Sequence, residues 1–257
     1  MPQSSGVRRR KSPRSRVSRR AAASSPTPPP PASAFGGFDD LTASNYYSCV
    51  GITGAQTGFH VQAWLYIESQ AVASANRIPL ANVTTATNGW RFLTGTTNAT
   101  LNFGCFDVTG STTRISPALT LTSGHIGRPL HVLGMIRSGA IFLFVDGAQV
   151  GVSTAITNFG PANNMAVGRR MSDTLSALGD IRVLGGVAGG HYAPSDAEIL
   201  AAYTAGLAAK DIVHISGGSS EQAWSFKNIG PTAPASVNPG VGVEALTRVG
   251  SPTFVTV

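Results

Sequence analysis

Short runs of alternating apolar residues are the feature that most limits what this chain can fold into. Such runs follow one another from residue 59 onward and are separated by turns rich in Gly, Asn and Thr. Alternation with period two is typical of strands with one buried face. The runs lie at 59–67, 91–93, 101–106, 131–137, 140–145, 165–168, 180–187, 223–226 and 252–257. A chain of 257 residues with 42% hydrophobic residues can bury a core and can hold one large β domain or two small ones, so we expect an all-β fold.

The strongest turn signal is the dipeptide Asp146-Gly147, which lies between two apolar runs. Asp-Gly in this context favours the positive φ angles of a type I′ hairpin turn. We therefore interpret Asp146 as a turn residue rather than as a metal ligand.

One segment departs from the β pattern and predicts a helix. Ser195 and Glu198 have the spacing of a capping box. Apolar residues then recur at helical intervals, namely Ile199, Leu200, Tyr203 and Leu207. We expect a short amphipathic helix that packs on the sandwich and ends near Gly206.

Positive charge is concentrated at the N-terminus. Eight of the 19 Lys and Arg lie within residues 8–20, and no acidic residue precedes Asp39. The other 11 stand against 12 Asp and Glu, so the rest of the chain has a formal charge of −1. Residues 1–20 lack the apolar side chains that folding requires, and the prolines of 21–37 favour an extended linker. We predict a disordered arm and linker over 1–37 and one domain over 38–257.

The arm is predicted to bind nucleic acid or another polyanion. Arginine pairs with phosphate through its planar fork, and the released counterions give affinity without sequence preference. No aromatic residue occurs before Phe35, so base stacking is not expected. An organelle-targeting peptide and a solubilising tail remain alternatives. The candidate residues are Arg8, Arg9, Arg10, Lys11, Arg14, Arg16, Arg19 and Arg20.

The order of these motifs resembles the concanavalin A-like superfamily, and within it the laminin G-like modules. The resemblance covers about residues 38–210 and is carried by the run at 59–67, the hairpin over 140–151, GDIRVLGGVA at 179–188 and the capped helix. It implies a two-sheet antiparallel jelly-roll sandwich that binds ligands at a loop edge or on a concave face.

The acidic residues decide what the resemblance implies for metals and catalysis. Calcium-binding members of that superfamily use acidic loop residues, and Asp107, Asp173 and Asp180 are the candidates here. Because a calcium site needs several converging oxygens, we expect no cofactor and keep Ca²⁺ as the alternative. Glycosidases need two carboxylates that flank one bond. No predicted strand carries two alternating acids, so we expect a protein that is not an enzyme.

Aromatic and amide side chains are the candidates for a lectin-like site. We favour core packing for Trp64 and Trp224. For Trp90, exposure beside Asn88 and Arg91 and burial in the core both remain open. The candidate ligand-binding residues are Trp90, Tyr46, Tyr47, Tyr192, Asn163 and Asn164.

Two functions are compatible with the sequence. The first is a non-catalytic protein whose sandwich recognises a glycan or a cell-surface ligand. The alternative is a virion coat protein, in which the arm contacts the packaged genome and the sandwich assembles into a homo-oligomer or a capsid shell.

No apolar stretch approaches the ~20 residues of a membrane span, and no secretory signal is recognisable. Cys49 and Cys105 match no zinc or redox spacing, and either free thiols or a disulfide are compatible with them.

Overall fold

The computed structural model describes most of the chain from residue 34 to the C-terminus. The described residues are 34–39, 41–42, 44–52, 55, 57–69, 77–82, 88–95, 99–107, 112–115, 118–160, 162, 164–168, 181–227, 229, 234–242 and 244–257. The predictions for the arm, for Asn163 and for Asp173 and Asp180 concern residues outside this set. All structural statements below concern the described residues.

Seventeen strands and one helix make up the described secondary structure. The strands are β1 (Gly36–Asp39), β2 (Tyr46–Val50), β3 (Gly58–Ile67), β4 (Leu80–Asn82), β5 (Trp90–Thr94), β6 (Thr100–Asp107), β7 (Thr112–Ile115), β8 (Leu119–Thr120), β9 (Pro129–Arg137), β10 (Ala140–Val145), β11 (Ala148–Ala155), β12 (Asn164–Val167), β13 (Ile181–His191), β14 (Ser219–Ser225), β15 (Ser236–Val237), β16 (Leu246–Val249) and β17 (Thr253–Thr256). The helix is α1 (Asp196–Ala209).

The strands form two antiparallel sheets. Sheet A has the order β11-β10-β9-β3-β13-β1-β17, and β14 also pairs with β13. Sheet B has the order β15-β16-β2-β12-β4-β5-β6-β7, and β8 also pairs with β6. The predicted all-β sandwich with one short helix is confirmed. Strand β1 begins two residues before the expected domain start, because Phe35 and Gly36 are already buried.

The main core lies between the sheets and follows the predicted alternation. Every second residue of β3 belongs to it, namely Phe59, Val61, Ala63, Leu65 and Ile67. Sheet B contributes a facing aromatic cluster in which Phe103 packs against Phe92, with ring centroids 5.0 Å apart. A Cβ at Gly134 would lie 2.3 Å from the Phe103 ring, so glycine at this position lets the two sheets approach. Cys49 and Cys105 are free thiols.

The predicted type I′ turn is present between β10 and β11. Asp146 and Gly147 have φ angles of 51° and 78°. The Asp146 carboxylate also accepts from the backbone N–H of His131 at 3.0 Å and pairs with Arg128 at 2.6 Å. Asp146 is therefore a turn residue whose carboxylate stabilises the hairpin, as its sequence context indicates.

Helix α1 begins where the capping box predicts, and Ile199 and Tyr203 of the expected apolar face pack on the sandwich, whereas Leu200 and Leu207 are not buried. Its buried residues are Ile199, Ala202 and Gly206, whereas Leu200 and Leu207 are 52% and 38% exposed. The reason is steric, because a small-residue face lets the helix lie close to sheet A. A Cβ at Gly206 would lie 2.8 Å from the backbone oxygen of Asp211 in the following segment and 3.1 Å from the Trp64 ring of sheet A.

Candidate functional site

A solvent-open pocket lies between α1 and residues 211–216, a segment that we call the connector. Its volume is about 330 Å³, within the range of about 300–1,000 Å³ that is usual for small-molecule sites. The lining residues are Glu198, Ala201, Ala202, Ala205, Val213, His214, Ile215 and Ser216. The pocket therefore offers an apolar wall and several hydrogen-bonding groups to a small ligand.

Polar side chains on the outer face of β3 fix the connector to sheet A. The indole N–H of Trp64 donates to the carbonyl of Asp211 at 3.0 Å. The amide of Gln62 donates to the carbonyl of Val213 at 3.0 Å, and its oxygen lies 2.9 Å from Nε2 of His131. Trp64, Gln62 and His131 are almost completely buried. Because buried polar groups are costly to leave unpaired, these bonds hold one wall of the pocket in place.

A third β3 side chain, His60, lies beneath Tyr192. Its Nδ1 is 2.8 Å from the Tyr192 carbonyl oxygen. A carbonyl can only accept, so Nδ1 carries the proton and Nε2 presents a lone pair. Nε2 is buried and meets no donor in the described part of the chain. Burial lowers the pKa of His60 to about 4, so its imidazole is neutral at pH 7.

The Glu198 carboxylate is fixed at the opposite wall by the start of α1. It accepts from the Ser195 backbone N–H at 2.7 Å and from the Ser195 hydroxyl at 2.6 Å. The Tyr192 hydroxyl donates to both of its oxygens, at 2.8 and 3.0 Å. The Ser195 bonds first and then the Tyr192 bond hold the pKa of Glu198 below its usual value. The pocket thus contains a pre-oriented, ionised acceptor.

A second carboxylate, Glu221, supports the connector from β14. Its Oε1 accepts from the backbone N–H groups of Gly217 and Gly218 at 2.8 and 2.9 Å. These bonds, that of Gly218 above all, lower the pKa of Glu221. Its other oxygen lies 3.6 Å from Nε2 of His214, whose pKa is lowered by burial. Two carboxylates and neutral imidazoles therefore surround the connector.

Three of the sequence candidates have an accessible position. Tyr192 lies beside the pocket, where its hydroxyl orients Glu198 rather than presenting a free ring, since Gly217 lies against that ring. Tyr46 and Asn164 lie on the neighbouring strands β2 and β12 of sheet B but at opposite ends of this strand pair, since Asn164 is opposite Val50. Tyr192 directly follows β13 of sheet A, so the structure separates it from Tyr46 and Asn164 on sheet B.

Trp90 and Tyr47 are corrected by the structure. Both side chains are 0% exposed and belong to the core between the sheets. The Trp90 indole N–H donates to the carbonyl of Ile52 at 3.0 Å, and the Tyr47 hydroxyl donates to Pro234 at 2.6 Å. Neither ring can serve as a platform for a sugar. Trp64 and Trp224 are buried, as expected.

Among the described residues, no group of three or more His, Cys, Asp and Glu side chains is arranged to hold a metal ion. The calcium candidate Asp107 is 2% exposed. Its Oδ2 accepts from the backbone and the hydroxyl of Thr157 at 3.1 and 2.9 Å. This carboxylate ties a loop to the end of β6.

Sequence reasoning missed most of the pocket. Glu198 was assigned only to helix capping, and the capping box does occupy part of its carboxylate. His60 and Gln62 alternate with core residues on β3, a pattern that ordinarily indicates a solvated face. The one available signal was that this outward face also carries Trp64, a residue that is costly to expose.

The described helix is too short to cross a membrane. No protein-family model matches the chain, and no curated protein matches it.

Solved structures are similar to this chain in fold. A suspected carbohydrate-binding protein of Bacteroides ovatus ATCC 8483 aligns with a TM-score of 0.55 and 11% identity, over 88% of this chain and 60% of that one. The binding domain of botulinum neurotoxin serotype D aligns with a TM-score of 0.48 and 12% identity, over 60% of this chain and 37% of that one. The chain therefore spans less than two thirds of either structure. At such identities the first similarity establishes the β-sandwich fold alone.

Proposed function

We propose that this protein is a non-catalytic binding protein whose sandwich recognises a glycan in the pocket between α1 and the connector. The observation that carries the proposal is the fixed Glu198 carboxylate opposite an apolar wall that includes Val213 and Ile215. A sugar ring presents hydroxyl donors at its rim and C–H groups on its face, so it matches both kinds of surface. The fold similarity to a suspected carbohydrate-binding protein agrees with this ligand class.

The electrostatics of the pocket favour binding over hydrolysis. A glycosidase needs one carboxyl group with a raised pKa, which protonates the leaving group. Hydrogen bonds lower the pKa of both Glu198 and Glu221. Both groups are therefore ionised at neutral pH and lack the proton that a general acid must supply.

The pocket can be tested with substitutions on the exposed surface of α1. Ala205 is exposed and lines the pocket, whereas Ala208 is exposed and does not. In a glycan array with the full chain, Ala205→Trp is expected to abolish binding because its ring fills the pocket. Ala208→Trp is the matched control and should bind like the wild-type protein. Glycan binding that survives Ala205→Trp would contradict the proposal.

We further propose that the arm binds nucleic acid without sequence preference. The supporting observation is the eight cations within residues 8–20, beside a remainder of formal charge −1. If most of them contact phosphates, the logarithm of the binding constant should fall linearly with the logarithm of the salt concentration. Each contacted phosphate of a duplex contributes about −0.9 to the slope of that line.

Fluorescence anisotropy with two unrelated oligonucleotides across a salt series measures this slope. Replacing the seven arginines of the arm by Gln should abolish binding, whereas Lys should preserve the slope and weaken affinity modestly. Strong preference for one oligonucleotide would contradict the proposal.

Light scattering with and without nucleic acid tests the alternative coat-protein function, for which large particles are expected.

A further inference from the structure

The charged side chain that lines the pocket is a hydrogen-bond acceptor. Among the lining residues, Glu198 carries the only carboxylate, and an ionised carboxylate can only accept. The hydroxyl of Tyr192 already donates to Glu198, so it is not available to a ligand. A ligand group that complements this carboxylate must therefore be a hydrogen-bond donor.

The charge around the pocket is negative. Residues 196–225 contain four acidic residues and one basic residue, Lys210, whose ammonium lies over the Phe35 ring at 5.3 Å. Asp196 is paired with Arg137 at 2.9 Å, and Asp211 accepts from Ser225 at 2.8 and 2.9 Å. Within the described residues, neither Glu198 nor Glu221 has an ion pair with Lys or Arg. A ligand cation in the pocket would meet the Glu198 carboxylate, which is not neutralised by such a pair, and Glu221 adds a second negative charge behind the connector, whereas a ligand anion would be repelled.

The pocket is also small and partly apolar. A volume of about 330 Å³ favours a single ring with a compact charged group over a long flexible chain. Ala202 is buried, and together with Val213 and Ile215 it forms a wall against which ring carbons can pack. A compact ammonium on a sugar ring supplies three donors and keeps an apolar ring face.

We propose that the pocket binds a protonated amino sugar, with its ammonium group against Glu198 and its ring face on the wall formed by Ala202, Val213 and Ile215. This inference rests on the proposed glycan function and specifies its ligand class.

The test compares two probes that differ only at their nitrogens, glucosamine hexasaccharide and N-acetylglucosamine hexasaccharide, in each of which the terminal ring is the part that would enter the pocket. Titration calorimetry with the full chain at pH 6 keeps the amines protonated. We expect the amine form to bind at least about tenfold more tightly, since a charge-assisted hydrogen bond replaces a neutral one. Glu198→Gln should remove that preference, because glutamine keeps the capping-box geometry but not the charge.

Two further variants separate the inference from the function on which it rests. Ala205→Trp should abolish binding of the amine form, and Ala208→Trp should leave it unchanged. Suppose that both hexasaccharides bind with equal affinity and that Ala205→Trp abolishes the binding of both. The amino-sugar inference would then be wrong, whereas the proposed glycan function would be supported. If the amine form still binds Ala205→Trp, the inference is wrong, because the cationic sugar is then attracted to another part of the surface. If no glycan binding depends on Ala205, both proposals are wrong.

Discussion

Lowering the pH from 7 to 5 is expected to reduce the free energy of unfolding by about 4 kcal/mol. Burial lowers the pKa of His60 to about 4 and that of His131 to about 3, from an ordinary value of 6.5. Below pH 6.5 the unfolded chain binds protons at both histidines, whereas the folded chain does not. Stability is therefore fully present above pH 6.5 and is lost as the pH falls toward the folded-state values.

Urea unfolding at several pH values measures this effect. The window from pH 7 to 5 lies above the ordinary pKa of Glu, so the histidines dominate the slope. His131→Gln should lower the stability at pH 7 but reduce the pH dependence by roughly half, since it removes one of the two rings with the largest pKa shifts. If that variant fails to fold, NMR of the wild-type imidazoles gives the same information. Titration of either buried ring near pH 6.5 would contradict the account.

Trp90→Ala is expected to destabilise the protein by about 3–5 kcal/mol. The indole is completely buried and packs near Phe59 and Phe103, with ring centroids 6.2 Å away in each case. Its removal leaves a large cavity between the sheets and deprives the Ile52 carbonyl of one donor. Asn82 still donates to that carbonyl at 2.8 Å, so the cavity accounts for most of the cost.

The measurement is urea unfolding of Trp90→Ala beside Trp90→Phe and Tyr46→Ala. Trp90→Phe retains a ring and should cost roughly 1–2 kcal/mol, and the more accessible Tyr46→Ala about 1 kcal/mol or less. If the Ala variant is folded at low temperature, its glycan binding should be unchanged. If Trp90→Ala has nearly normal stability but no longer binds glycan, Trp90 contacts the ligand and the account is wrong.

Local signals predicted the parts of the fold that depend on neighbouring residues. The Asp146-Gly147 turn and the capping box between Ser195 and Glu198 are present because their energetics are settled within a few residues. The alternation of β3 correctly predicted which of its residues enter the core.

The pocket depends on contacts between distant segments, which a single sequence does not specify. The outward residues of β3 are polar because they bind the connector, about 150 residues later in the chain. The packed face of α1 could be inferred only in part from hydrophobicity, because Gly206 is buried and Leu200 is exposed. Trp90 was ambiguous for a similar reason, since short neighbouring runs do not reveal which side of β5 faces the other sheet.

The central claim, that the sandwich binds its ligand between α1 and the connector, is tested most directly by NMR mapping. Backbone amide shifts of the labelled full chain would be followed while glucosamine hexasaccharide is added. The account predicts shifts concentrated in residues 198–205 and 213–218, with Tyr46 and Asn164 on sheet B unaffected. Shifts centred on β2 and β12, with α1 and the connector unchanged, would contradict it.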